Sequence, residues 1–357
     1  MKSIKIGQLK DGRDVCISGN SPNRHILILG ISGSGKSTRM YAIQKNVLEQ
    51  EGEVIVLDIS GDKNGFYKKE TVNVISALDD GVELNFLTPL EKSGTVENYS
   101  NFLTYLVDIM SGTFCLGIRQ QGALREALHY AVEHKTDNET DMEVICRGLE
   151  MQDSAVAEGV KTRLWNILYS GIFRKSEKKM QRGKINVISL KGVNPTTQRE
   201  LAEIILAMLW RKVRYEGQRK ERLLISIDEF QNLSLKKNAT LYEMLREARG
   251  YGVDLLLATQ TLAGFSTEIK AAIDQTAVQL YFRPALSDVS KIAKNIETGD
   301  GARWTMALKN LQVGESVATG SLCLQGKEIF RPLIIRTENY MGKTKGERDV
   351  LLLTAKS

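Results

Sequence analysis

One eight-residue segment constrains this chain more than any other feature. Gly30-Ile31-Ser32-Gly33-Ser34-Gly35-Lys36-Ser37 fits the spacing G-x-x-x-x-G-K-[ST], and it separates a short apolar run at 25–29 from a stretch of helical composition at 37–48. Strand, glycine loop and helix in that order make a phosphate cradle. Glycine permits the backbone to curl its N–H groups around an anion, and the helix that follows points its positive end at the same charge. The binding candidates are Gly30, Ser32, Gly33, Ser34, Gly35, Lys36, Ser37 and Thr38. Lys36 is expected to bridge the β- and γ-phosphates of ATP. Ser37 is expected to place its hydroxyl on Mg²⁺, an ion that keeps most of its ligands as water and phosphate oxygen.

A second apolar run, 223–227, ends in the adjacent carboxylates Asp228 and Glu229. Asp228 is the candidate for the magnesium shell. Glu229, one residue on and directed differently, is placed to polarise a water for in-line attack on the γ-phosphate. Taken alone, such a pair could be a solvated strand end; beside a complete phosphate loop it reads as catalytic. A further strand at 253–258 runs into Thr259 and Gln260. Ligands of open α/β sheets bind at the carboxyl edge, so Gln260 is the candidate sensor of the γ-phosphate or the attacking water, with a turn-capping amide as the plainer reading. Between these strands, Leu241, Met244, Leu245 and Ala248 form a helical apolar face and leave Arg246 and Arg249 on another. Those arginines could reach a neighbouring subunit's nucleotide in a ring, or pair with Glu243 and Glu247 on their own surface.

Strands alternating with helices imply a largely parallel sheet covered on both faces. The pattern is interrupted from about residue 98 to 180, where apolar residues recur at helical spacing, as in Leu124, Ala127, Leu128 and Ala131. An all-helical insertion is expected there. The first twenty residues alternate around Asp11-Gly12, which predicts a small tight-turned β hairpin. A chain of 357 residues, 42% hydrophobic, can build one large core with such additions. No apolar run reaches the roughly 18 residues that span a bilayer, so no membrane insertion is expected and a soluble cytoplasmic chain is. The four cysteines lie far apart and His129 and His134 have none nearby, which speaks against a disulfide framework or a zinc site. A net charge of +6 is compatible with a nucleic-acid partner without requiring one.

Together these motifs resemble the HerA/FtsK superfamily of P-loop ATPases, which includes the ATPases of conjugative type IV secretion. The resemblance is carried by the phosphate loop with its preceding Asn23-Arg24-His25, by the segment Asp228-Glu229-Phe230-Gln231-Asn232-Leu233, by the run Leu245-Arg246-Glu247-Ala248-Arg249-Gly250-Tyr251-Gly252 and by Ala258-Thr259-Gln260. Weaker echoes lie in 120–128 and in Leu311-Gln312-Val313-Gly314-Glu315-Ser316. It implies a RecA-like core of the additional-strand class, hexamers, an arginine finger between subunits, and ATP-driven movement of DNA or protein through a pore. The domains then read as a β hairpin at 1–22, the ATPase core at 23–96 and 183–340, the helical insertion at 97–182 and a tail at 341–357. Only 22 residues precede the core, too few for the N-terminal β-barrel usual in HerA-type helicases. A compact HerA-like DNA translocase or helicase is the leading expectation. A soluble secretion-type ATPase, and a nucleotide-switched scaffold that assembles with a nuclease or other effector, are the alternatives.

Overall fold

The computed structural model describes residues 3–61, 70–237, 239–262, 264–297 and 299–337, so the expected tail at 341–357 lies outside the described residues. The chain opens with an antiparallel hairpin, β1 (Lys5–Gln8) and β2 (Asp14–Ile17), followed by β3 (Ile26–Leu29), α1 (Lys36–Glu49), β4 (Glu53–Asp58) and β5 (Val72–Ser76). A two-stranded ribbon, β6 (Glu91–Lys92) and β7 (Thr95–Val96), leads into α2 (Tyr99–Phe114), α3 (Ile118–His134), α4 (Asp141–Glu150), α5 (Ala155–Arg163) and α6 (Trp165–Leu168). Alternation resumes with β8 (Ile185–Ser189), α7 (Pro195–Glu216), β9 (Leu223–Asp228), α8 (Thr240–Glu247), β10 (Val253–Thr259), α9 (Thr267–Asp274) and β11 (Val278–Tyr281). Two helices, α10 (Val289–Ile296) and α11 (Gly301–Asn310), precede the short strands β12 (Glu315–Gly320), β13 (Leu322–Leu324), β14 (Lys327–Ile329) and β15 (Leu333–Arg336).

All strands but the small ribbon join one sheet, ordered β14-β13-β2-β1-β15-β12-β11-β3-β10-β9-β4-β8-β5. The run from β11 to β5 is parallel throughout. Its strands are buried on both faces, and side chains alternate between two cores as the pleat requires. Ile26 and Ile28 of β3 pack with Met40, Ile43 and Val47 of α1, whereas Leu27 joins the opposite core with the apolar faces of α2 to α9. This is the largely parallel α/β sheet expected of a RecA-like P-loop core, and β10, inserted between β3 and β9, is its additional strand. The interrupting helices share that second core continuously, because Phe102, Leu106 and Met110 of α2 are buried in the same cluster as Leu201 and Ile205 of α7.

The remaining strands, β12, β15, β1, β2, β13 and β14, extend the sheet in antiparallel fashion. The N-terminal hairpin is therefore not free-standing: β1 pairs with β15, and β2 with β13. Nor is its turn a tight two-residue one, since Leu9 N–H donates to the Arg13 carbonyl at 2.8 Å and the Asp11 carboxylate accepts from Arg13 N at 3.1 Å. The side chain of Asp11 closes a longer loop in place of a two-residue hairpin. Regular helix in the insertion ends at Leu168, short of the expected 180, and the basic residues Arg174, Lys175, Lys178 and Lys179 fall on irregular chain.

One buried cation ties this extension to the phosphate loop. Arg39 on α1 is fully buried and donates from Nε to Thr337 Oγ1 (2.8 Å), from Nη1 to the Ile6 carbonyl (2.8 Å) and from Nη2 to the Gly314 carbonyl (3.1 Å). Burial lowers its pKa to about 9, so the guanidinium still carries its charge near neutrality. Gln44, one turn further along α1, donates to Ser226 Oγ of β9 at 2.8 Å. The helix that follows the phosphate loop is thus fastened both to the added strands and to the acidic strand.

Candidate nucleotide-binding and hydrolysis site

The loop between β3 and α1 has the backbone its glycines predict. Gly33 and Gly35 lie at φ 74 and 104, in the left-handed region, and a Cβ on Gly35 would stand 2.7 Å from Gly314 N. A Cβ on Gly30 would stand 2.6 Å from Phe282 Cβ. Gly30 and Gly35 are therefore required by close approach, whereas around Gly33 there is open space and only the φ demands glycine. Ser34 Oγ donates to the Ile31 carbonyl at 2.7 Å, closing the curl. Ser32 and Gly33 form its exposed crest.

Helix α1 starts at Lys36 with no side-chain cap and no acidic residue in its first turn. Its first N–H groups, including those of Lys36, Ser37 and Thr38, have no intrahelical acceptor by geometry, and they sit where the helix dipole favours an anion. Lys36 is buried, with Nζ donating to the carbonyls of Gly30 (2.7 Å) and Ile31 (3.1 Å). Its ammonium is held inside the ring of the loop.

Strand register brings the acidic pair to this edge. Thr259 is level with Leu29, and Ala258 is level with both Ile28 and Asp228. Asp228 is thus two strand spacings, about 10 Å, from the end of β3. Its carboxylate is buried and Oδ1 accepts from the N–H of Glu229 at 2.9 Å. The donor set offered by Ser37 and Asp228 is all oxygen, which suits Mg²⁺, and no cluster of three or more His, Cys, Asp or Glu able to cage a metal occurs among the described residues.

Glu229 adopts φ 53, ψ 43, a left-handed conformation that costs a non-glycine residue roughly 1–2 kcal/mol. This kink turns its side chain away from that of Asp228, and a 3₁₀ turn, Phe230–Asn232, follows at once. Gln260 Nε2 donates to Glu229 Oε1 at 2.8 Å, and Gln231 Nε2 donates to Oε2. Glu229 and Gln260, identified separately in sequence, are therefore in direct contact. Gln231 has no role legible in the sequence beyond its place in the Asp228–Leu233 segment, and the structure gives it one as the second amide on Glu229.

Arg246 and Arg249 do not share a continuous helical face. Helix α8 ends at Glu247, and a 3₁₀ turn, Ala248–Tyr251, carries Arg249. Both arginines are exposed, and among the described residues neither forms an ion pair. The expected pairing with Glu243 fails because Glu243 faces α7, where it accepts from Trp210 Nε1 (3.3 Å) and lies 3.7 Å from Arg214. Arg246 instead lies over the ring of Tyr242, 5.9 Å from its centroid.

With this geometry established, comparison with known proteins assigns the chain. The family model described as the central domain of the helicase HerA matches residues 4–209. This chain belongs to the HerA central-domain family. The acidic strand, Gln260 and the two arginines lie beyond the matched span but within the reach of full-length HerA relatives. The DNA double-strand break repair helicase HerA of Saccharolobus solfataricus is 24% identical over 368 residues, covering 96% of this chain and 70% of that protein. Its counterpart in Sulfurisphaera tokodaii is also 24% identical, over 373 residues, with 96% and 71% covered. Among solved structures, VirB4 of Thermoanaerobacter pseudethanolicus superposes with a TM-score of 0.71 at 15% identity, covering 97% of this chain and 98% of that one. The bacterial conjugative coupling protein TrwB gives 0.63 at 13% identity, with 95% and 94% covered. At those identities the likeness is one of fold, and it extends over nearly the whole HerA-family chain. No helix among the described residues is long and apolar enough to cross a membrane.

Proposed function

We propose that this chain is an ATP-hydrolysing, ring-forming motor that translocates on or unwinds DNA, a reading supported by its likeness to relatives named DNA double-strand break repair helicase HerA. The observation that carries the reading is the Gln260–Glu229–Gln231 arrangement beside the phosphate loop. A lone strand-end carboxylate would be free in solvent; this one is held by two amides at the edge where the loop and Asp228 also stand. The loop amides and Lys36 bind the polyphosphate, and Glu229 accepts the proton of the attacking water while Gln260 orients that water. Ser37 and Asp228 are the residues that would hold Mg²⁺, Asp228 through its water shell, and the ion would supply charge neutralisation on the phosphates. Arg246 and Arg249, exposed and without an ion pair among the described residues, are the groups offered to a neighbouring subunit, which supports a hexameric ring with an arginine finger in trans. In this reading the core at 23–96 and 183–340 does the chemistry, the insertion at 97–182 rests on it, and the protein acts in the cytoplasm.

The test is ATP turnover with and without double-stranded DNA, together with the particle mass in solution. The reading expects an assembly of several chains whose turnover rises with DNA and whose DNA affinity falls steeply with salt, as phosphate contacts dictate. Turnover indifferent to any nucleic acid would overturn DNA as the track, in favour of a secretion-type ATPase or a nucleotide-switched scaffold for an effector.

A further inference from the structure

Helix α7 presents one half-buried carboxylate, Glu203, at the edge of its apolar face, and Glu203 Oε1 accepts from the backbone N–H of Ser234. Desolvation raises its carboxyl to about 7. Ser234 stands just past the 3₁₀ turn that begins at Glu229, a turn closed by Asn232 N to the Glu229 carbonyl (2.9 Å) and by Leu233 N to the Phe230 carbonyl (3.0 Å). On its other side the turn is anchored by the buried ring of Phe230, 5.6 Å from that of Phe265.

Beyond Ser234, Leu235 packs partly buried against the main core, and a cavity of about 1040 Å³ opens between α2, α7 and this loop, lined by Glu203 and Ser234 themselves together with Asp108, Arg199, Glu200 and Lys236. Among the described residues, the segment from Glu229 through α8 meets α7 at two polar points, Glu203 with Ser234 and Glu243 with Trp210 and Arg214, of which the first is nearer to Glu229 in sequence. A left-handed glutamate persists where its surroundings over-determine it, and the Glu203 link is one of the constraints that hold this turn.

We propose that Glu203 is a positioning residue for hydrolysis: by holding Ser234, its carboxyl group fixes the turn that aims Glu229 and Gln231 at the attacking water. The proposal rests on the reading of Glu229 as the group that activates that water. A small misplacement of such a base costs on the order of 10²-fold in rate. In the same reading the ground-state contacts to the nucleotide belong to the phosphate loop, outside this turn.

The experiment is steady-state ATP turnover by the full chain with Glu203→Ala, Glu203→Gln and Ser234→Pro, and with Glu229→Gln in parallel. Glu203→Ala should lower kcat by about 10²-fold and leave KM for ATP within roughly twofold. Glu203→Gln should restore most of the rate, because its amide oxygen accepts the same N–H. Ser234→Pro removes the donor while Leu233, at ψ 160, already has the extended backbone that precedes proline, so it should match Glu203→Ala even if the latter folds poorly. The double variant should be no slower than either single one. Wild-type kcat in Glu203→Ala, or equal impairment of Glu203→Gln, overturns the proposal. If Glu229→Gln itself turns over normally, the reading of the base has failed and this proposal falls with it. If Glu229→Gln is inactive while Glu203→Ala is not, only the positioning role is lost.

Discussion

Replacing Glu229 by glutamine changes one atom and tests the chemistry at its centre. In the native site each carboxylate oxygen accepts one amide N–H, Oε1 from Gln260 at 2.8 Å and Oε2 from Gln231. Glutamine offers one acceptor and one donor, so its NH₂ would face a donor amide from Gln260 or Gln231. That neighbour can answer by turning its own amide over, at a cost of about 1 kcal/mol in hydrogen bonding, and the site keeps its shape. The basicity cannot be recovered in this way. General-base catalysis contributes about 10²–10⁴ in rate, so kcat should fall by that factor, equivalent to roughly 3–5 kcal/mol in the barrier. Nucleotide affinity should hold, since the phosphate loop and Lys36 are untouched. The assay is single-turnover hydrolysis of ATP by excess protein, beside equilibrium binding of a non-hydrolysable analogue. Hydrolysis within about threefold of wild type would refute the assignment, because no general base is removed so cheaply. Equal loss of binding and turnover would also refute it, by making Glu229 a ligand-binding group.

The arginines and Glu203 give two further tests. Arg246→Ala and Arg249→Ala, made singly, should leave nucleotide binding intact, and the one that acts in trans should lose about 10³-fold in turnover. Mixing that variant with Glu229→Gln chains should recover activity, because each supplies what the other lacks; no recovery would place the arginine's role within its own subunit. Glu203 has a folded pKa of about 7 against 4.5 for the ordinary side chain. The folded state keeps this proton where the unfolded state has lost it, so its contribution is full below about 4.5 and is lost as pH rises to about 7. Relative to Glu203→Gln, which does not titrate, the wild type should therefore lose on the order of 2 kcal/mol between pH 5 and 8, read from urea midpoints. A pH-independent difference between the two would show that the carboxyl is not buried in this way.

What the sequence made legible was local. The phosphate loop, the Asp228-Glu229 strand end and Gln260 are each encoded within a few residues, and strand-end position is enough to send them to one edge. The antiparallel extension was not legible, because it joins the two ends of the chain: β1 finds β15 and β2 finds β13 across some three hundred residues, and β13 and β14 are three residues each. Periodicity sees no such pairing. The break of α8 into a 3₁₀ turn at Ala248 separates Arg246 from Arg249, although the apolar spacing of Leu241, Met244, Leu245 and Ala248 runs straight through it. Arg39 and Glu203 were passed over for a different reason. A charged residue on an amphipathic helix ordinarily faces water, and only the tertiary neighbours show that Arg39 is fully buried and Glu203 half-buried against a backbone N–H. Each serves as a structural tie to the site, and neither belongs to a motif.

The most direct measurement of the central claim is binding of a non-hydrolysable ATP analogue, followed by titration calorimetry with and without Mg²⁺, in the wild type and in Lys36→Ala. A triphosphate seated where the lysine-bearing loop meets the acidic strand predicts at least tenfold weaker binding in the variant, and a magnesium dependence that Asp228→Asn diminishes. Equal affinity of wild type and Lys36→Ala would place the nucleotide elsewhere and contradict the account.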